Sequence, residues 1–209
     1  MITLSQLALF SAASLLLIFT PGPDIIYVMT RGMAQGRGAA LAAAAGFSLG
    51  NLVHTFFAVV GLSALLTSSA TAFQLVKYAG AVYLVYLGIK MLRSGSPVSV
   101  PGAAPTLQNG VIFRQSIIAN ILNPKVAVFF LAFFPQFVDH SRGHAAWQML
   151  TLGCTFVVLT AIGFGLVGIC SGWIGGFLQR APRIGSRIGH FAGGILIALG
   201  LRLAWPERG

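Results

Sequence analysis

Six apolar runs, each near the ~20 residues that a membrane helix needs, fall at 4–29, 39–66, 72–92, 113–137, 146–172 and 187–205 of this chain. Their continuity restricts the backbone more than any other feature. In hydrocarbon every N–H and C=O must be paired within the protein, so only helices and closed barrels can span. Barrel strands alternate apolar and polar residues, and these runs do not alternate. The first run has no basic stretch ahead of it and continues beyond the length of a signal-peptide core, so it reads as a retained helix. The expected fold is an all-α integral membrane protein with six transmembrane helices.

Two of the runs are interrupted. Thr20-Pro21-Gly22-Pro23-Asp24 breaks the first, and Asn120-Ile121-Leu122-Asn123-Pro124-Lys125 breaks the fourth. Proline removes a donor and clashes with the preceding turn, which frees carbonyls at membrane depth. A charge there costs at least ~2.5 to 3.5 kcal/mol and faces a bundle interior or a wet cavity. The chain has three acidic residues; Asp139 and Glu207 belong to an expected loop and tail, leaving Asp24 as the one carboxylate within a span. It suits capping of a half-helix start as well as a coupling role. Lys125, with apolar positions on both sides, would keep its proton if a carboxylate faced it. The two breaks at Pro21, Gly22, Pro23 and Pro124 are therefore expected to meet around a solute site, with Asp24 and Lys125 paired directly or through water. The other reading is two separate charges, each satisfied by freed backbone and nearby amides. Asn51, His54 and Thr55 share one side of the second helix at i, i+3 and i+4. Gln115, Ser116, Asn120 and Asn123 are the polar content of the fourth. Such asparagines act as glue between helices or as ligand contacts; Asn51, Asn120 and Asn123 are retained as candidates. His190 reads as an interfacial histidine.

Charge sets the orientation. The formal net charge is +10 and the isoelectric point about 10.9, yet no basic run interleaved with aromatics points to nucleic acid. With the N-terminus outside, Arg31, Arg37, Lys90, Arg93, Arg114, Arg180, Arg183 and Arg187 lie inside, against Arg142, Arg202 and Arg208 outside. Of the rest, Lys77 is near enough to a helix end to snorkel, and Lys125 is not. Both termini are then outside, in a bacterial cytoplasmic membrane. The stretch from Ser94 to Pro105 is rich in Pro, Gly and Ser and reads as a cytoplasmic linker, extending over about 94–111. It divides a single transmembrane domain into repeat 1 (about 1–93) and repeat 2 (about 112–209). Three helices per half force opposite insertion, so the halves are expected to be inverted repeats, the first helix of each broken by proline.

Glycines four apart, Gly46 and Gly50, then Gly168, Gly172 and Gly176, then Gly185, Gly189 and Gly193, are expected at close helix contacts, inside the protein or at a homodimer seam. Cys154 and Cys170 are placed in one helix, ~24 Å apart along its axis, too far to pair with each other. They lack histidine or thiol neighbours at metal-ligand spacing, and no metal or cofactor is expected.

Half-helix N-termini attract an anion and half-helix C-termini a cation, which fits a small solute carrying both charges. The two breaks, together with Gly46-Phe47-Ser48-Leu49-Gly50, the stretch from Tyr78 to Gly88, Phe133-Phe134-Pro135-Gln136-Phe137 and the stretch from Gly194 to Arg202, resemble those of the LysE/RhtB family of amino-acid exporters over nearly the whole chain. The resemblance implies efflux of amino acids or their derivatives, of the threonine, homoserine, leucine or lysine kind, driven by protons or membrane potential. It carries the broken-helix motifs onto Pro21, Gly22, Pro23, Asp24, Asn123, Pro124 and Lys125. One buried carboxylate supplies a dibasic substrate poorly. The rival readings are a passive channel, because broken helices also line pores; a metal-ion transporter, for which Asp24 and His54 are a thin ligand set; and an intramembrane serine protease. The last needs Gly-x-Ser-Gly, which Gly168-Ile169-Cys170-Ser171-Gly172 misses by one residue. The protein is not expected to be an enzyme.

Overall fold

Prolines and glycines punctuate the chain, and the helices lie between them. The computed structural model describes residues 2–62, 70–94 and 105–205. Helix α1 (Leu4–Phe19) starts at a capping box, in which the Thr3 hydroxyl takes the Gln6 N–H while the Gln6 side chain takes the Thr3 N–H. It ends where Thr20 turns extended. Helix α2 (Pro23–Gln35) restarts with proline in its first turn, where the missing N–H costs nothing. Gly36, at φ 82°, then reverses the chain in a single residue. That left-handed conformation suits glycine, which has no Cβ to clash.

Helix α3 (Arg37–Phe57) runs on through a π turn at Ala58–Leu62. Helix α4 is Ala70–Ser94. Helix α5 (Asn109–Ile121) stops at the second break. Helix α6 (Pro124–Val128) continues through a π turn at Phe129–Phe133 and a 3-10 turn at Phe134–Phe137. After the surface turn His140–Arg142 come α7 (Ala145–Ile169), the short α8 (Ser171–Arg180) and α9 (Pro182–Ala204).

All regular structure among the described residues is helical. Four helices are long and apolar enough to cross a membrane, within Arg37–Gly61, Gln74–Arg93, Ala145–Ile169 and Arg183–Ala204. Two bent pairs, α1 with α2 at 59° and α5 with α6 at 46°, bring the number of spans to six if each pair is one. Large apolar side chains point outward as well as inward: Phe56, Phe57, Val82, Val158, Ile162 and Leu166 are exposed on helix flanks. Such faces need lipid around them.

At the centre α3 packs against α5 and α7, α1 and α2 against α7, and α4 against α9. Glycine sets the closeness. A Cβ at Gly46 would run into the Phe113 carbonyl, and one at Gly193 would lie 2.8 Å from the Gly88 carbonyl. Gly50 and Gly168 sit at similar approaches, whereas Gly172 and Gly176 face open space, so within one chain the second expected stripe makes contact at Gly168 alone.

Several expectations need correcting. The first broken run extends to Gln35 rather than ending near 29, because Arg31 and Gln35 are helical and held by side-chain hydrogen bonds. Arg31 is thus a buried residue of α2 and not a loop cation. The fourth run begins at Asn109 instead of 113. The fifth divides at Cys170, whose N–H closes the last turn of α7 before α8 begins; the two cysteines therefore do not share a helix, and both are free and exposed. The sixth begins at Pro182, with proline in its first turn, rather than at 187. Lys77 does not snorkel outward but is buried against neighbours. Most of the linker falls outside the described residues.

Candidate functional site

The two interruptions meet. Lys125, in the first turn of α6, carries its ammonium across to the end of α1. There Nζ donates to the carbonyls of Thr20 at 3.2 Å and Leu17 at 3.4 Å. The same nitrogen lies 3.3 and 3.2 Å from the two carboxylate oxygens of Asp24. Lys125 and Asp24 are each 3% exposed, so this is an ion pair enclosed by protein and linking residues 101 apart in sequence.

Local sequence accounts for each part. The Thr20 hydroxyl turns back onto the Leu16 carbonyl at 2.6 Å, helping to satisfy it, and Pro21 has no N–H with which to continue the helix. The Thr20 carbonyl, and the Leu17 carbonyl that also takes the Thr20 N–H at 3.2 Å, face the cation, as the negative end of a helix dipole favours. Gly22 passes at close quarters: a Cβ there would stand 2.7 Å from Asp24 Oδ1 and 3.0 Å from Lys125 Nζ. Asp24 occupies the first turn of α2, where the positive end of the dipole favours an anion. Opposite, the Asn123 side chain accepts the Lys125 N–H at 3.0 Å and caps α6. Pro124 holds the first helical position.

Amides surround the pair. Asn51 donates through Nδ2 to the Thr160 hydroxyl at 3.1 Å, and its Oδ1 has no partner. Asn120 Oδ1 and Asn123 Nδ2 are likewise buried and unpaired. Asp24, Asn51, Asn120, Lys125 and Thr160 line a cavity of about 10 Å³ with Leu17, Ile18, Val126, Phe156 and Phe164. It has room for about one water and none for an amino acid, so the centre is occluded. His54 Nε2 meets the Asn120 carbonyl at 3.1 Å, with its ring stacked on Phe130. Thr55 bonds back to the Asn51 carbonyl within α3.

Aromatic rings close both sides. Beyond Lys125 stand Phe10, Phe129, Phe130, Phe133, Phe134, Phe137 and Phe156, in ring contact with one another. Beyond Asp24, in the other direction along α2, the barrier is thinner. Tyr27 lies edge-on to Phe47, and Phe47 edge-on to Phe164, while the Tyr27 hydroxyl donates to Gln115 at 2.8 Å.

Asp24, Lys125, Asn51, Asn120 and the break residues Pro21, Gly22, Pro23, Asn123 and Pro124 are thus in one place. His190 is not: it is exposed, with Nδ1 on the Ser186 carbonyl of its own helix. Sequence reasoning passes over Thr160, whose signal is a single hydroxyl in the run Phe156–Gly165, and Tyr27. Among the described residues no three His, Cys, Asp or Glu side chains gather as a metal-binding group.

An all-helical chain with up to six spans, two of them broken around an enclosed ion pair, is the architecture of a polytopic membrane translocator. Residues 15–206 match the LysE type translocator family. The chain belongs to that family. It is 34% identical over 186 residues to an uncharacterized membrane protein of Vibrio cholerae, covering 88% of this chain and 89% of that one. It is 37% identical over 149 residues to the homoserine/homoserine lactone efflux protein of Salmonella typhimurium, covering 71% and 72%. Over 192 residues, 90% of each chain, it is 27% identical to the leucine efflux protein of an Enterobacter species. No solved structure matches at a significant level.

Proposed function

We propose that the protein is a secondary transporter that exports zwitterionic amino acids or their small derivatives across the bacterial cytoplasmic membrane. Both termini face outward, and access alternates around Asp24 and Lys125. The observation that carries this reading is the double clasp on Lys125 Nζ, by a carboxylate and by the Leu17 and Thr20 carbonyls at the first break. A zwitterion matches both members of the clasp. Its ammonium replaces that of Lys125 at Asp24 and the Thr20 carbonyl, and its carboxylate takes the released Lys125. Each charge keeps a partner throughout. Without substrate, separating the pair would leave two buried charges uncompensated at several kcal/mol, which opposes empty opening and leak. The relatives named for homoserine and leucine efflux support substrates with one ammonium and an uncharged side chain.

Part of the packing also supports inverted repeats, although the contact of α2 with α3 has no comparable counterpart between α6 and α7. Exchanging the bent pairs, α3 with α7 and α4 with α9, maps the contact of α3 with α5 onto that of α7 with α1, and maps α3–α7 and α4–α9 onto themselves. Rocking one half on the other about the two breaks would expose the centre to each side in turn. Movement is coupled to protons or to membrane potential, with Asp24 the carboxylate available for a proton.

Counterflow in proteoliposomes tests the proposal. Vesicles preloaded with homoserine or leucine should show saturable, trans-stimulated uptake of the labelled compound. Uptake that neither saturates nor responds to preloading would mark a channel and overturn the carrier.

A further inference from the structure

A second buried cation lies on the helix that carries Asp24. Arg31 is seven residues along α2, ~10.5 Å further on by helix rise, and only 8% exposed. Its guanidinium carbon stands 5.1 Å from the centre of the Tyr27 ring. Nη1 donates to the Pro105 carbonyl at 2.8 Å and to Gln35 Oε1 at 3.1 Å, and Nε is buried without a partner. None of these neighbours is charged. Of the three acids in the chain, Asp24 is taken by Lys125 and Asp139 by Arg142, and Glu207 lies outside the described residues. Among the described residues Arg31 meets no carboxylate.

A guanidinium is a planar fork suited to two-point contact with a carboxylate. Here one arm rests on a neutral carbonyl and another donor is unused. The Pro105 carbonyl occupies, at Nη1, one of the two places of a carboxylate bridging Nη1 and Nη2, and the buried, unpaired Nε–H leaves the guanidinium with a donor to spare. Tyr27, against which the guanidinium rests, is also part of the thin aromatic barrier before Asp24. An anion held at Arg31 would therefore stand against Tyr27, one ring of the layer Tyr27, Phe47 and Phe164 that separates it from the ion pair.

We propose that Arg31 is a capture site for the α-carboxylate of the substrate on its way in from the cytoplasmic end of α2. The carboxylate displaces the Pro105 carbonyl, is held by the guanidinium fork, and passes Tyr27 to reach Lys125. This rests on the export reading above and on its orientation. It adds a specificity element: capture favours solutes with a free carboxylate over those in which that group is masked, whereas the Asp24 end reads the ammonium common to both.

Transport kinetics of L-homoserine, which has a carboxylate, and L-homoserine lactone, which keeps the ammonium and lacks the carboxylate, separate the roles in proteoliposomes of the full chain. Arg31→Gln should raise KM for homoserine about tenfold or more, the effect of one lost charge-assisted contact, and leave KM for the lactone within about twofold of wild type. Arg31→Lys keeps the charge and loses the fork, so it should fall between, and it serves if the glutamine variant does not fold. Equal losses for both compounds would make Arg31 merely a tie holding Pro105 and overturn the proposal, as would no loss for either. If the wild-type protein carries leucine alone, Arg31→Gln must raise its KM by the same factor or the proposal falls; if it carries none of the three, the export reading fails and the capture site with it.

Discussion

The two breaks are placed alike in sequence but built differently. The first is open. Gly22 offers α2 no side-chain cap, the Leu17 and Thr20 carbonyls point at a neighbour, and the acid stands beside them. The second is closed on itself: Asn123 caps α6, its N–H returns to the Asn120 carbonyl at 2.9 Å, and that carbonyl is also met by His54. Surroundings differ in the same sense. Gly80 lets α4 press on α6, where a Cβ would lie 2.6 Å from that of Ala132. Between α1 and α9, beside Pro21, there is instead an outward-facing apolar groove of about 200 Å³ lined by Leu15, Leu16, Phe19, Ile188, Phe191, Ala192 and Ile195. The first break presents carbonyls and a carboxylate to a cation beside a loosely packed flank, and the second is closely packed and presents the cation.

Removing that cation should have the largest effect. Lys125→Met strands Asp24 and the Thr20 carbonyl, for a loss of about 3 to 5 kcal/mol. Asp24→Asn leaves the ammonium on the carbonyls and should cost less, about 1 to 3 kcal/mol, while abolishing transport. Thermal melting in detergent orders the two, and an equal or reversed order would contradict that description of the first break. Next come the packing glycines. Gly22→Ala should push the ion pair apart and Gly80→Leu should wedge α4 off α6, each at about 1 to 3 kcal/mol, whereas Ala192→Leu should enter the groove beside α1 at no cost in melting temperature. A loss from Ala192→Leu as large as that from Gly80→Leu would erase the difference in packing.

Loss of the cap alone, Asn123→Ala, should cost about 1 kcal/mol and slow transport without abolishing it. The smallest effect is the control outside the spans. Ser141, through its hydroxyl and N–H, and then Arg142 hold the Asp139 carboxyl below its usual range. A depressed carboxyl adds stability above its unfolded pKa of about 4 and loses it as pH falls through the folded value. The gap between melting curves of wild type and Asp139→Asn should therefore shrink as pH falls below about 4 and close below the depressed folded pKa, and a gap of unchanged size down to the lowest pH would contradict the assignment.

Much of this was legible because lipid forbids most alternatives. Run length and the Pro-plus-charge breaks at Asp24 and Lys125 marked the spans and the centre, since an interrupted backbone and a charge within one apolar run are too costly in lipid unless they face a polar interior. Arg31 is misread from sequence because loop and helix cations look alike when the limit of a helix is set by apolar content. What holds α2 helical to Gln35 is a pair of hydrogen bonds to Pro105 and Leu107, some seventy residues away and invisible to periodicity. The division at Cys170 is hidden because Gly168-Ile169-Cys170-Ser171-Gly172 is apolar enough to read as uninterrupted helix. Lys77 is misplaced for a related reason: nearness to a helix end does not say which way the side chain turns.

The central claim is that substrate occupies the place where Asp24 and Lys125 now hold one another. Equilibrium binding of labelled homoserine and leucine to purified protein tests it most directly, comparing wild type with the neutral double variant Asp24→Asn/Lys125→Met. Saturable binding by wild type, lost in a double variant that still melts cooperatively, is the result expected. Undiminished binding by that variant would place the substrate elsewhere in the molecule.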